Sequence, residues 1–291
     1  MSKEVILGVL GGSGIYEMDH AKVVDQHKIQ TPYGSPSDCI TEVLFGDRKA
    51  FFLPRHGKGH SVTPSEVNYR ANIYAMKHLG VSHVLAVSAV GIMKEEIKPG
   101  DMVIPDQILD RTKGVRPSTF FGEGIVGHVS FADPFSAEMT DIISKSAREC
   151  TQRVHEGGTY ICMEGPQFST RAESHFYRKT ISPSIIGMTA IPEAKLAREA
   201  ELCYGMLALA TDYDCWHEEE EDVSVAAVLE VLKANSLMGK KIVEKIVHNL
   251  PTHSTDPCLD AAKYAIVTTP EAIPEKRKQE LSLLYGRYFG E

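Results

Sequence analysis

The chain contains no apolar run approaching the roughly 20 residues that span a bilayer, so no membrane segment is expected. Met1-Ser2-Lys3-Glu4 leads straight into an apolar stretch, without the pattern of a secretory signal, and the expected setting is cytoplasmic. The six cysteines (Cys39, Cys150, Cys162, Cys203, Cys215, Cys258) never stand in CxxC spacing. That argues against structural zinc and for reduced, mostly buried thiols; no metal is expected. Positive charge is not in surplus either. Lys and Arg number 31 against 39 Asp and Glu, a net charge of −8, which excludes general nucleic-acid binding but leaves room for a local anion pocket. No repeat, low-complexity tract or linker divides the chain. What is present is size and apolar content: 291 residues, 43% hydrophobic, enough for one large α/β domain or two small ones.

Short apolar runs alternate with helical patterns. Strands are expected at Val5 to Leu10, Ala50 to Leu53, His83 to Val87, Asp101 to Ile104, Tyr160 to Met163, Ile185 to Met188 and Met206 to Ala210. Thr63, Pro64 and Glu66 read as N-cap, first helical residue and capping-box partner of a helix that continues through Val67, Ala71, Tyr74 and Met76 to a stop at Gly80. Pro192 opens another helix. Thr170, Arg171 and Glu173 read as helix-capping or structural residues. Val225, Val228, Leu229 and Leu232 repeat at helical spacing after the acidic, solvated run Glu218 to Asp222, and a last helix holds Leu281, Leu284 and Tyr285. The Gly-rich stretch Thr112 to Ser130 reads as a long active-site or interface loop.

The ends of the strands carry the chemistry. Gly11-Gly12-Ser13-Gly14 follows the first strand. It has neither a GxGxxG spacing nor a following Lys-Ser/Thr, so it is neither a dinucleotide fingerprint nor a Walker loop. It is a tight turn that lets backbone N–H groups and one hydroxyl approach an anion. Pro54-Arg55-His56-Gly57 adds a guanidinium and an imidazole, and Ser88-Ala89 adds a hydroxyl and further N–H groups. Any one of these fits an ordinary surface turn. Together they favour a site for inorganic phosphate or a phosphate ester. Asp212 and Asp214 follow the apolar strand Met206 to Ala210. In extended geometry residues i and i+2 point the same way, so both carboxylates are expected to face one bound molecule. Taken alone, the pair also fits a turn or a helix cap. A carboxyl buried near a second carboxylate can hold a proton near neutral pH, as a general acid must, and the pair suits the N–H edge of a purine.

Taken in order, Leu10-Gly-Gly-Ser-Gly-Ile15, Pro54-Arg-His-Gly57, His60, Val67-Asn-Tyr-Arg-Ala-Asn72, Ser88-Ala-Val-Gly91, Lys98-Pro-Gly-Asp101, Glu164-Gly-Pro-Gln-Phe-Ser-Thr-Arg-Ala-Glu173, Met188-Thr-Ala-Ile-Pro-Glu193 and Ala210-Thr-Asp-Tyr-Asp-Cys-Trp216 resemble the 5′-methylthioadenosine phosphorylases of the second purine nucleoside phosphorylase family. The resemblance runs from Gly8 to about Val267. It implies a single α/β domain over residues 1–291, with a three-layer α/β/α phosphorylase/hydrolase-like fold, a mixed central sheet and a C-terminal helical extension from about residue 268. It implies a pentosyltransferase that cleaves 5′-methylthioadenosine with inorganic phosphate to adenine and 5-methylthioribose 1-phosphate, in methionine and purine salvage. Ser13, Arg55, His56, Ser88, Ala89 and Thr189 would bind phosphate. Phe168, Ser169, Asp212 and Asp214 would surround adenine, with Asp212 the acid to purine N7. Met188 would lie against the ribose. Val225, Val228 and Val267 would line the 5′-alkylthio pocket, with His128 donated by a neighbouring subunit of a homotrimer. Small-molecule nucleoside and phosphate are the implied partners, phosphate being a co-substrate and no cofactor being needed.

The chain departs from the family at Ser13 and Ser88, where Thr is common, and at Ile92-Met93, where a small residue followed by an aliphatic one is usual. Serine keeps the hydroxyl donor. Asp214 sets the expected base: a carboxylate accepts from a 6-amino group and repels a 6-oxo oxygen. Alternatives are a purine nucleoside or methylthioinosine phosphorylase on the same scaffold, a nucleosidase using water, and a non-catalytic nucleotide-binding protein.

Overall fold

The structure is a computed structural model that describes residues 2–12, 18, 20–217 and 225–290, excluding the side chains of 225–230, 232 and 234. Ser13, the Glu218 to Asp222 run and the side chains of Val225, Val228, Leu229 and Leu232 lie outside it.

Apolar residues on alternate faces of the central strands divide into two cores. In Leu7–Gly11, Arg48–Pro54, His83–Ile92 and Cys203–Asp212 the side chains of Leu10, Phe51, Leu53, Val84, Ala86, Met206 and Ala208 join one cluster. Leu7, Val9, Ala50, Phe52, Leu85, Val87, Leu207 and Leu209 join the other. That is the period-2 alternation of a strand buried on both faces. Helices Tyr69–His78 and Ala190–Glu199 cover the first face; Ala137–Cys150 and Val225–Asn249 cover the second. The result is a three-layer α/β/α fold.

The sheet is mixed. Cys203–Asp212 pairs in parallel with His83–Ile92, which pairs in parallel with Leu7–Gly11, itself parallel to Arg48–Pro54. Ile185–Gly187 runs antiparallel to the end of His83–Ile92. The parallel strands therefore end together, which gathers their C-terminal turns on one edge.

Each expected strand is present, within a few residues. Several elements were not anticipated: the edge strand Lys22–His27 and its neighbour Ile40–Phe45, Gln107–Arg111, and the helix Ala137–Cys150. Lys22–His27 is exposed along nearly its whole length, so it lacks the apolar pattern that marks a strand.

One helix start needs correction. Thr63 and Glu66 do bond, Thr63 N–H and Oγ1 donating to Glu66 Oε2 at 3.1 and 2.7 Å, but only one turn forms. The helix begins at Tyr69, where Asn68 caps it by accepting from Ala71 N–H. Val67 is buried in the core, and Tyr69 OH donates back to Pro64 O at 2.9 Å, so the chain breaks and restarts there. By contrast, Thr170 and Glu173 form a reciprocal capping box on helix Arg171–Thr180. Pro192 also marks its helix: the residue before it, Ile191, is extended at φ −114° and ψ 129°, as proline imposes. The last helical region is two short pieces, Glu275–Glu280 and Ser282–Tyr285, with Leu281, Leu284 and Tyr285 buried. Among the described residues no helix is long and apolar enough to cross a membrane.

Candidate active site

A cavity of about 340 Å³ lies at the gathered strand ends. Of the residues expected to act, Arg55, His56, Ser88, Ala89, Phe168, Met188, Thr189, Asp212 and Asp214 line it. Gly12 lines it too; Ser13 lies outside the described residues. Ser169 sits just behind Asp214, its carbonyl accepting from Cys215 Sγ. Val267, expected in the pocket, is not brought in, and His128, expected to serve a neighbouring subunit, also lies outside this cavity. Val267 is 67% exposed, and His128 is exposed beside it, in the strand-like pairing of Gly127 with Ile266.

Two parallel strands set the spacing of the site. Ser88 pairs with Ala208 and Gly91 with Asp212, three residues farther along. At strand rise that separates hydroxyl cradle from carboxyl pair by about 10 Å, a distance that suits a ribose and part of a purine between them.

In the cradle, Ser88 Oγ and Thr189 Oγ1 lie 3.3 Å apart. Thr189 precedes a helix yet makes no side-chain cap, so its hydroxyl is not spent on the backbone. Arg55 is more committed than its sequence position suggests. It is 2% exposed and forks onto Glu193, Nε to Oε2 at 2.6 Å and Nη2 to Oε1 at 2.9 Å. It also donates to Leu10 O and Val87 O, at 3.0 and 3.3 Å. Four of its five N–H groups are thus engaged, and its charge is balanced by a carboxylate. Burial and the neighbouring Arg55 charge push His56 down to about 4, so its imidazole is neutral near pH 7. Its Nδ1 lies 2.9 Å from Val62 O, a carbonyl that only accepts, so Nδ1 carries the proton. Nε2 is then an acceptor, suited to a protonated phosphate oxygen or a water.

Asp212 and Asp214 do meet in the cavity, but not by extended i, i+2 geometry. The strand has a bulge between Ala210 and Asp212, and Asp214 adopts a left-handed φ of 49°. Asp214 N–H donates to Asp212 Oδ1 at 3.0 Å, fixing the turn. Gly91 makes room for it: a Cβ there would lie 2.9 Å from Ile186 and 3.3 Å from Asp212 Oδ1.

Burial raises the pKa of both carboxyls. For Asp212, the Thr211 hydroxyl and Asp214 N–H oppose the rise. For Asp214, the Ser174 hydroxyl opposes it and the charge of Asp212 reinforces it. Thr211 Oγ1 lies 2.7 Å from Asp212 Oδ2 and 3.1 Å from Val90 O. A protonated Asp212 can donate to Thr211, which then donates to Val90, so the neutral acid is fully satisfied. Asp214 Oδ2 and Ser174 Oγ are both shut off from open space and make no close hydrogen bond, yet the Ser174 hydroxyl is near enough to pull the Asp214 pKa back down.

The walls are apolar. Phe168, 42% exposed, offers a ring face at the rim. Met188 is held from behind: its carbonyl accepts from Arg116 Nη1 at 2.7 Å, and Gly165 admits its sulfur, since a Cβ there would fall 2.5 Å from Sδ. Ile92, unusual for the motif, is fully buried, and its carbonyl accepts from Trp216 Nε1 at 2.6 Å.

Sequence reasoning missed Glu193, Thr211, His60, Met163 and Ser236, although all but Glu193 line the cavity. Glu193 closes the Met188 to Glu193 motif, but its partner Arg55 is 138 residues away. The fold also gathers Cys203, Asp256 and Cys258, with ligand atoms within 4.8 Å of one another, a grouping their spacing did not announce. Asp256 is occupied there, accepting from Cys258 N–H at 2.7 Å and Ser136 Oγ at 2.6 Å.

The profile of the phosphorylase superfamily matches residues 6–248. An S-methyl-5′-thioadenosine phosphorylase of Geobacter sulfurreducens is 54% identical over 286 residues, covering 98% of this chain and 99% of the relative. The crystal structure of a methylthioadenosine phosphorylase from an Antarctic soil metagenomic library superposes with a TM-score of 0.91 at 46% identity, covering 97% of this chain and 99% of that one. A methylthioadenosine phosphorylase of Schistosoma mansoni, solved in complex with adenine, superposes with a TM-score of 0.83 at 38% identity, over 89% and 96% of the two chains. The chain belongs to the phosphorylase superfamily, and to the same family as these methylthioadenosine phosphorylases.

Proposed function

We propose that the protein is a 5′-methylthioadenosine phosphorylase, cleaving the N-glycosidic bond with inorganic phosphate to give adenine and 5-methylthioribose 1-phosphate. The observation that carries this reading is the cavity itself: two carboxyls, Asp214 buried and Asp212 half-buried, both of raised pKa and about 10 Å along the strands from a cradle of hydroxyls.

Breaking the bond leaves positive charge on the ribosyl carbon and negative charge on the purine. Phosphate held by Ser13, Ser88, Thr189, Ala89 N–H and the remaining N–H of Arg55 stabilises the cation and then forms the new C–O bond. Asp212 donates its proton to purine N7 as the electron pair of the glycosidic bond passes to the base. Asp214, which lines the cavity, accepts from the 6-amino group. Phe168 and Met188 pack on base and sugar. Val225 and Val228 line the alkylthio pocket, completed by His128 of a neighbouring subunit, and Val267, first expected in the same subunit's pocket, is reassigned to that neighbour. That placement accounts for the exposure of His128 and Val267, which share one paired segment. The same reading makes the protein a cytoplasmic homotrimer with the site at the subunit interface, needing no metal or organic cofactor.

The test is base preference. Asp214→Asn, which replaces an acceptor with a group that also donates, is expected to shift the ratio of inosine-type to adenosine-type turnover upward by about ten-fold or more. An unchanged ratio would remove Asp214 from base recognition.

A further inference from the structure

His128 reaches a nucleoside in the proposed trimer only through the loop that carries it, and that loop is held by residues 265–268 and, farther back, by the C-terminal segment. Val126 N–H donates to Thr268 Oγ1 at 2.8 Å, Val267 N–H donates to Val126 O at 2.9 Å, and His128 N–H donates to Ala265 O at 2.9 Å. Earlier in the loop, Phe120 O accepts from Arg277 Nη2 at 2.8 Å while Phe120 N–H donates to Glu199 Oε2 at 2.6 Å. Arg277 is 6% exposed and anchored by Glu280 at 2.5 Å.

A second path is steric. The ring of Phe121 stacks on Tyr285, centroids 5.1 Å apart and planes 4° from parallel. The tip of the same ring lies over Gly127, where a Cβ would fall 2.4 Å from Phe121 Cζ. Gly124 likewise lies against Pro274, a Cβ there falling 2.7 Å from the proline ring. The backbone at Gly127 and His128 is fixed on one side by the pairing with Ile266 and the bond to Ala265 O, and glycine, the most permissive residue in a loop, leaves the other side to be set by what packs on it. Phe121 does press on it, and Tyr285 holds Phe121.

We infer that the segment 268–285 is a positioning device for His128, acting through Tyr285–Phe121–Gly127 and through Arg277–Phe120. The inference rests on the proposed function, which places His128 at the 5′ substituent in a neighbouring subunit. A purely structural extension would bury Ile273, Leu281 and Leu284 and leave substrate recognition unaffected.

Kinetics and subunit exchange separate the two. Phe121→Ala is expected to raise KM for 5′-methylthioadenosine about ten-fold while kcat stays within about two-fold, and Tyr285→Phe, which keeps the stack, to retain the wild-type KM. Phe121→Ala is then coexpressed with Asp212→Asn under a second tag, and mixed oligomers are assayed at low substrate. A site needs its own Asp212 and a neighbour's sound loop, so random assembly gives about a quarter of wild-type activity, against about a twentieth if each site relies on its own loop. His128→Ala, mixed in the same way, is the control. If His128→Ala complements but Phe121→Ala has a normal KM, or has a raised KM that mixing does not rescue, the positioning role is overturned and the proposed function stands. If His128→Ala itself fails to complement, the placement of His128 in a neighbour's site falls, and this inference with it.

Discussion

At the scale of single residues the site is a set of buried and half-buried groups whose charges are controlled by their surroundings. Asp212 is raised by burial and has a chain of acceptors, Thr211 and Val90, that satisfies its neutral form. Asp212→Asn keeps the shape and removes the transferable proton. It is expected to lower kcat by about 10²- to 10⁴-fold with phosphate affinity little changed, as steady-state kinetics with varied phosphate would show. Near-normal turnover would exclude it as the acid. The two aspartates were legible in the sequence as chemistry, because carboxyl groups at a strand end are conspicuous. Their geometry was not, since a bulge and a left-handed residue replace the extended backbone assumed for them. Arg55 shows a related limit. Its position was plain, but its partner Glu193 is distant in sequence, and the pairing leaves little of the guanidinium for an oxyanion. Glu193→Gln would leave Arg55 charged and half-paired in the interior. A loss of about 3–5 kcal/mol is expected in chemical denaturation, the cost of stranding a buried charge; a variant as stable as the parent would contradict that view of the pair.

At the scale of elements, strands buried on both faces were legible because they read as apolar runs, and Thr170 and Glu173 were legible because a capping box is local. Lys22–His27 was not, being polar and exposed. The Thr63 box misled because its bonds form while the next turn is decided by burial of Val67 and by the Asn68 cap. The long loop after Arg111 takes its form from elements distant in sequence, and one anchor titrates. Burial raises Glu199 to about 7 from 4.5, against the pull of Phe120 N–H, Thr119 and Lys195, with Tyr285 also facing it. The folded protein therefore holds this proton between pH 4.5 and 7 where the unfolded chain has lost it. Its stabilisation is complete below the unfolded value and is lost as pH rises from there to about 7, on the order of 3 kcal/mol over the window. Glu199→Gln is expected to flatten that part of the stability–pH curve in urea melts. A slope left intact would assign it to another group.

At the scale of the whole molecule, the three layers bring the ends of parallel strands to one edge, so groups far apart in sequence line one cavity. Family membership and the α/β class were legible from ordered motifs spread along the chain. The exposure of Val267 was not, because an apolar residue near the end of the matched motifs reads as pocket lining until its surroundings are known. The most direct measurement is release of adenine from 5′-methylthioadenosine with and without inorganic phosphate, with methylthioinosine, adenosine and inosine run beside it. Fast adenine release that requires phosphate and spares the 6-oxo compounds is the expected result. Release without phosphate, or preference for the 6-oxo compounds, would contradict the account.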